Sequence, residues 1–63
     1  MENRVKELRK ELGMTQEELA NKSGVSRQTI ISIENGNAEN VLVGTLAAIA
    51  TALGTTVSEI FLL

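Results

Sequence analysis

A group of polar side chains lies within residues 26–32, inside a stretch of helical periodicity. Ile30 and Ile33 have the spacing of one helix face and, with Val25, are expected to attach this helix to a core. The opposite face then carries Ser26, Arg27, Gln28, Ile31 and Ser32. Arginine can donate two hydrogen bonds to guanine O6 and N7, glutamine can bond adenine N6 and N7, and an apolar side chain can meet a thymine methyl. These side chains suit base edges in a DNA major groove, although a solvated helix face carries the same residue types.

The elements that would position this face are two helices joined by a very short turn. Periodicity predicts one helix over about residues 16–23 and another over about residues 27–35. The turn between them consists of Ser23, Gly24 and Val25. A short turn that contains glycine makes two helices cross steeply, and the small Ala20 fits the point where the backbones approach. The pattern therefore predicts a helix-turn-helix over about residues 16–35, in which the start of the second helix would enter the major groove.

Three further helices are expected, over about residues 2–12, 43–53 and 57–62. Their expected inward residues are Val5, Leu8, Leu12, Leu46, Ile49, Ala50, Leu53, Val57, Ile60 and Phe61. A glycine follows each of the first four helical stretches, as expected where a left-handed residue ends a helix. The expected capping residues are Thr15 with Glu18, Thr56 with Glu59, and Ser26. Five short helices with tight connections predict an all-α orthogonal bundle.

Composition restricts the function classes. The 63 residues include no histidine and no cysteine, and their formal net charge is −2. Metal binding would depend on glutamate alone, and general acid–base catalysis would lack its usual residue, so we expect no enzyme activity, no metal and no cofactor. The negative charge counts against nucleic-acid binding, for which a basic domain is typical. DNA binding nevertheless requires only a local positive face.

Length and hydropathy predict one domain, residues 1–63, located in the cytoplasm. A chain this short supports a single core at most. No apolar run approaches the roughly 18 residues that would suggest a membrane span. The first ten residues are charged and helical in pattern, unlike a secretory signal. We therefore expect no membrane partner.

Residues 4–61 resemble the Cro/cI-type repressors, also called the xenobiotic-response-element family. The resemblance is carried by RVKELRKELGMTQEELANKSGVSRQTIISIENG and by TLAAIATALGTTVSEIF. It covers over nine-tenths of the chain and is spread over several elements. It implies a compact five-helix, lambda-repressor-like domain. It also implies a transcriptional regulator, with repression as the expected action on double-stranded DNA. Because one such domain makes too few contacts for tight binding alone, we expect a homodimer on a palindromic operator, with half-sites about 34 Å apart.

A set of DNA-contacting residues follows from the outward face and the resemblance together. It consists of Thr15, Gln16, Ser26, Arg27, Gln28, Ile31, Ser32 and Asn35. The resemblance implies that Gln16 bonds a phosphate and braces the first recognition residues, with Thr15 and the free amides beside it holding the same phosphate. Arg27 and Gln28 would read bases. The two serines would contact phosphates or base edges, and Asn35 would touch the DNA backbone.

The resemblance also implies a structural ion pair between Arg9 and Glu34, largely buried between the first and third helices. The chain departs from the family in the loop over residues 37–42, where basic residues are usual and Glu39 stands instead. This predicts weaker DNA affinity. Leu42 occupies the expected N-cap position of the fourth helix, where serine or threonine is usual.

Three alternatives remain open on the sequence. The first is an antitoxin that also binds a toxin protein, for which only Ile31, Leu62 and Leu63 suggest a surface. The second is a controller of a restriction–modification system with the same fold. The third is a protein-interaction module that has lost DNA binding. The terminal leucines, with Val57 or Ile60, could instead form a dimer seam or belong to a frayed end.

Overall fold

Five helices make up the regular structure of residues 2–61, the part of the chain that the computed structural model describes. They are α1 (Val5–Glu11), α2 (Gln16–Ser23), α3 (Arg27–Glu34), α4 (Val43–Ala52) and α5 (Val57–Phe61). The described residues contain no strand, which confirms the predicted all-α class. α3 packs against α1 and α2, while α2 and α5 both pack against α4. α2 has the predicted bounds, and α3 and α4 each end one residue earlier than expected.

Local capping explains where α2 begins and ends. The Glu18 backbone N–H donates to Thr15 Oγ1 at 3.0 Å, and the Thr15 backbone N–H donates to Glu18 Oε1 at 2.9 Å, which completes the predicted capping box. Gly24 ends the helix with φ at 73°, a left-handed conformation that is unfavourable for residues with a Cβ. At α5 the Glu59 backbone N–H donates to Thr56 Oγ1 at 3.3 Å. The reciprocal bond to Thr56 is absent among the described residues.

The core is apolar and draws on every helix. Its fully buried large side chains are Val5, Leu19, Ile30, Ile33, Ile49 and Ile60. Burying one such side chain stabilises a fold by about 1.5–3 kcal/mol, so these residues explain how a short chain can hold α3 in place. Ala38, from the loop between α3 and α4, is also buried at 2% exposure.

The start of α1 differs from the sequence prediction. The helix begins at Val5 rather than at residue 2. Asn3 explains the difference, because its Oδ1 accepts from the Val5 backbone N–H at 3.1 Å while its Nδ2 donates to the Ile33 carbonyl at 2.7 Å. In addition, the Arg4 backbone N–H donates to the Ile60 carbonyl at 2.8 Å. Asn3 and Arg4 are therefore tied to α3 and α5 instead of extending α1.

Leu12 was expected in the core and is 54% exposed, so that prediction is wrong. α1 ends at Glu11, and the chain turns at Leu12 before it can complete the apolar stripe. The inward position one turn earlier is taken by Arg9, and Met14 packs against the core after the turn. A dimer seam that includes Ile60 is also contradicted, because Ile60 is fully buried. The terminal leucines, 62 and 63, lie outside the described residues.

Candidate nucleic-acid interface

The turn between α2 and α3 is stabilised by its own polar atoms. Ser23 Oγ donates to the Leu19 carbonyl at 2.7 Å and accepts from the Val25 backbone N–H at 3.2 Å. The Gly24 backbone N–H donates to the Ala20 carbonyl at 2.9 Å. Val25 packs against the core. This turn therefore orients α3 rigidly on α2, and the free face of α3 points away from the core.

Ser26 caps the start of α3. Its Oγ accepts from the Thr29 backbone N–H at 3.2 Å and lies 2.9 Å from Thr29 Oγ1. Thr29 was not singled out from the sequence, although its place three residues after a capping serine was a usable signal. The Ser26 hydroxyl is therefore already engaged by α3, although Ser26 remains exposed.

Arg27 and Gln28 are the exposed polar side chains of the first turn of α3. Neither side chain hydrogen-bonds or pairs with any of the described residues. Both are thus available to an external ligand without breaking an internal contact. Since Ser26 fixes the helix start beneath them, their backbone is ordered while their side chains remain free.

The remaining predicted DNA-contacting residues of α3 and its C-terminal end are placed less favourably for binding DNA together with Arg27 and Gln28. Ile31 and Ser32 are half-buried, contrary to the fully outward face that periodicity predicts. Their backbone atoms help to end the helix, because the Asn35 N–H donates to the Ile31 carbonyl at 3.0 Å and the Asn37 N–H to the Ser32 carbonyl at 2.9 Å. Asn35 is exposed at the far end of α3, about 12 Å along the helix axis from Arg27. The structure thus gathers residues 26–28 and leaves Asn35 apart from them.

The start of α2 lies beside the start of α3. One surface cleft is lined by Thr15, Gln16, Glu17 and Arg27, together with Arg9 and residues of the preceding turn. The capping box uses the backbone N–H groups of Thr15 and Glu18. Among residues 2–61, the backbone N–H groups of Gln16 and Glu17 have no partner. Gln16 and Glu17, which carry these two amides, therefore line the same cleft as Arg27.

A buried polar cluster lies behind this cleft. Arg9 Nε donates to Glu34 Oε2 at 2.7 Å, and Arg9 Nη2 donates to Glu34 Oε1 at 3.1 Å. The two side chains are 9% and 3% exposed. Arg9 Nη1 also donates to the Met14 carbonyl at 2.8 Å, which ties the turn before α2 to the pair. One guanidinium thus connects α1, this turn and the end of α3.

Gln16 belongs to the same cluster. Its Nε2 donates to Glu34 Oε1 at 3.1 Å, so in the free protein it contacts the end of α3 rather than the recognition residues at its start. Burial acts to raise the pKa of the Glu34 carboxyl, but hydrogen bonds from Arg9 and Gln16 outweigh it and hold this pKa below its ordinary value. The hydrogen bond to Glu34 in turn raises the pKa of Arg9. The Glu34 carboxyl is therefore ionised at neutral pH and can only accept hydrogen bonds.

A second cleft separates the start of α3 from the start of α4. It is lined by Ser26, Thr29, Asn40, Leu42 and Thr45, with residues 24, 25 and 41 beside them. Leu42 is the N-cap of α4 and makes no side-chain capping hydrogen bond, as the sequence predicts. The sequence did not predict that Leu42 and Val43 would each be 76% exposed, although the missing polar cap was a signal.

Positive charge at these two clefts is sparse. Arg9 is buried in its ion pair, and Arg4 Nη2 pairs with Glu7 Oε1 at 3.0 Å on α1. Arg27 is the exposed cation of α3, and Glu17 lines its cleft.

Among the described residues no three potential metal ligands form a group. No helix within residues 2–61 has the length and hydropathy to cross a membrane.

A three-residue turn joins α2 to α3, and α3 starts with a capping serine followed by exposed polar side chains. This arrangement defines a helix-turn-helix domain. The chain belongs to the helix-turn-helix family, whose model matches residues 5–60. It is 51% identical over 65 aligned residues to an uncharacterised HTH-type transcriptional regulator of Methanothermobacter thermautotrophicus. That match covers all of this chain and 91% of the relative.

Solved structures extend the comparison. A chain of the SinR protein/SinI protein complex is 34% identical and superposes with a TM-score of 0.80. The match covers 87% of this chain but 53% of that one, so the chain spans about half the length of this structural relative. The hydroxypropylphosphonic acid epoxidase from S. wedmorenis is 29% identical with a TM-score of 0.76. Only 29% of the epoxidase chain is covered, so the likeness is confined to a small part of it.

Proposed function

We propose that this protein is a sequence-specific DNA-binding transcriptional regulator that reads DNA with the start of α3. The observation that carries the proposal is the state of Arg27 and Gln28, which are exposed, free of internal hydrogen bonds, and fixed at their backbone by the Ser26 cap. The family membership and the regulator relative support it. Arg27 would bond guanine and Gln28 adenine, each in bidentate fashion.

The remaining residues of the set would position the domain. Gln16, Thr15 and the two partnerless amides at the start of α2 would hold one phosphate. Ser26 and Ser32 would contact phosphates or base edges, and Ile31 would meet a thymine methyl with its exposed part. Asn35 would touch the backbone further along the duplex, consistent with its separate location. Phosphate contacts fix register, whereas base contacts carry specificity.

The small number of exposed positive charges on the DNA-reading helix favours binding as a dimer. With one exposed cation on α3, a single copy would make few ionic phosphate contacts. Two copies on a palindromic operator, with half-sites about 34 Å apart, would double the contacts. We therefore propose a homodimeric repressor. The proposal includes one domain over residues 1–63, a cytoplasmic location, no enzyme activity and no cofactor.

A protein partner is the second candidate function. Leu42 and Val43 expose apolar surface at the start of α4, and Leu42 lines the cleft beside the α3 start. One structural relative was solved as a protein–protein complex. Exposed apolar patches often mark protein contacts. An antitoxin and an interaction module that has lost DNA binding are the alternatives of this kind, whereas a restriction–modification controller of the same fold would act through DNA. The first would bind a toxin in addition to DNA.

In-vitro selection from a random duplex library at two salt concentrations tests the proposal. We expect enrichment of a palindrome that carries guanine at a fixed half-site position. Affinity should fall with salt, because phosphate contacts release counterions. If no sequence is enriched even at low salt, DNA binding is refuted and the interaction module becomes the better description.

A further inference from the structure

One hydrogen bond joins the buried cluster to the surface that the proposed function uses. Glu34 Oε1 accepts from both Gln16 Nε2 and Arg9 Nη2, each at 3.1 Å. The Glu34 side chain is 3% exposed, whereas Gln16 is half-buried and lines the cleft that contains Arg27. Glu34 is therefore the buried partner, and Gln16 the partner at the candidate interface, of this hydrogen bond.

This bond determines how the Gln16 carboxamide is oriented. An ionised carboxylate can only accept hydrogen bonds, so the amide must turn its nitrogen toward Glu34. One N–H is used there, and the second N–H and the amide oxygen remain for a ligand. Hydrogen bonds to a charged acceptor are stronger than those between neutral groups. The orientation is thus set before any DNA arrives.

We propose that Glu34 is a positioning residue for DNA binding, which holds Gln16 ready to contact a phosphate. This inference rests on the proposed function. Immobilising a flexible side chain only upon binding weakens affinity about 2- to 12-fold, and prior order removes that loss. Arg9 acts one step further back, because its two bonds fix both carboxylate oxygens of Glu34. The same ion pair that joins α1 to α3 would then also support DNA affinity.

A double-mutant cycle tests the coupling without relying on stability. The double variant Arg9→Met, Glu34→Leu replaces the ion pair by apolar side chains, a change that often leaves a fold as stable or more stable. Gln16→Ala is introduced into the wild type and into this double variant, and affinity is measured on the selected duplex. We expect Gln16→Ala to weaken binding about 2- to 12-fold more in the wild type. An equal loss in both backgrounds overturns the inference.

Ile49→Val provides the control for general destabilisation. It trims a buried α4 side chain outside the cluster, so it should lower Tm and leave the affinity of the folded protein unchanged. A loss of affinity with this variant would attribute the effect to stability and overturn the inference.

The side-chain amide dynamics of Gln16, measured by NMR on the wild type without DNA, give a test that needs no variant. We expect restricted motion, and an order parameter below about 0.6 would contradict it. If the wild type binds no duplex at all, the proposed function itself fails and the inference with it. If the wild type binds but the cycle shows no coupling, only the inference fails.

Discussion

Arg9 Nε donates to Glu34 Oε2 at 2.7 Å, a contact between α1 and α3 that spans 25 residues of sequence. Both side chains are almost fully buried. Replacing Glu34 by alanine leaves the Arg9 guanidinium buried without its carboxylate. Breaking one partner of a buried pair costs about 3–5 kcal/mol.

We therefore expect Glu34→Ala to lower Tm by at least about 12 °C for a chain of this size. Circular dichroism melts of Glu34→Ala and of Glu17→Ala, an exposed glutamate of α2, supply the measurement and its control. Equal melting temperatures for wild type and Glu34→Ala would refute a stabilising role for the pair.

Acid should destabilise the protein through Glu34. Hydrogen bonds in the folded state hold the pKa of this carboxyl below its ordinary value. As pH falls to about 4.3 and below, the Glu34 carboxyl is therefore protonated more in the unfolded chain than in the folded one. The stability that Glu34 contributes is therefore present above that pH and is lost as pH falls toward the folded pKa. Melts between neutral and acidic pH should show a smaller acid-induced loss for the Arg9→Met, Glu34→Leu variant. An unchanged pH profile would contradict the assignment.

Arg27→Ala should relax base preference at one position. Loss of a bidentate contact to guanine costs about 1–3 kcal/mol, or about 5- to 150-fold in affinity for the preferred sequence. Lys22→Ala removes an exposed cation at the other end of α2 and serves as the control. Binding constants on duplexes that vary at each base pair distinguish the outcomes. A uniform loss on all sequences would make Arg27 a phosphate contact instead.

Asn40→Lys should strengthen DNA binding and steepen its salt dependence. Asn40 is exposed and lines the cleft next to Ser26 and Thr29, where a lysine could reach a phosphate. One additional phosphate contact steepens the plot of log affinity against log salt by about 0.9. Thr51→Lys adds the same charge at an exposed site further along α4. Identical slopes for the two variants would show that net charge, rather than the location, is responsible.

Replacing Gly24 and Gly44 by alanine should change the free energy of unfolding in opposite directions. Gly24 has φ at 73°, and a Cβ there would meet no atom within 4 Å, so the penalty comes from backbone conformation alone. A left-handed residue with a Cβ costs about 1–2 kcal/mol. Gly44 is the second residue of α4 and has equally open space, so alanine there should stabilise the helix by at most about 0.5–1 kcal/mol, the cost of a glycine in a helix interior. Urea titrations measure both changes, and the same sign for both variants would contradict this account.

Local signals in the sequence determined the helix-turn-helix. Thr15, Glu18, Ser26 and Gly24 specify where α2 and α3 start and where α2 ends, because capping bonds and left-handed residues involve neighbours in the chain. Apolar spacing likewise identified Ile30 and Ile33 as buried. These features depend on periods and offsets of a few residues, so they can be read without knowing how the helices pack.

Contacts that no local pattern and no resemblance indicated were decided by the tertiary structure. Gln16 contacts Glu34 across 18 residues, a pairing that depends on how α3 crosses α2. Leu12 is exposed because the chain leaves α1 just before it, and Ala38 is buried because the loop folds back onto the core. Helical periodicity assigns a face to a residue, but the path of the turns and the crossing of the helices determine whether that face is covered and by what.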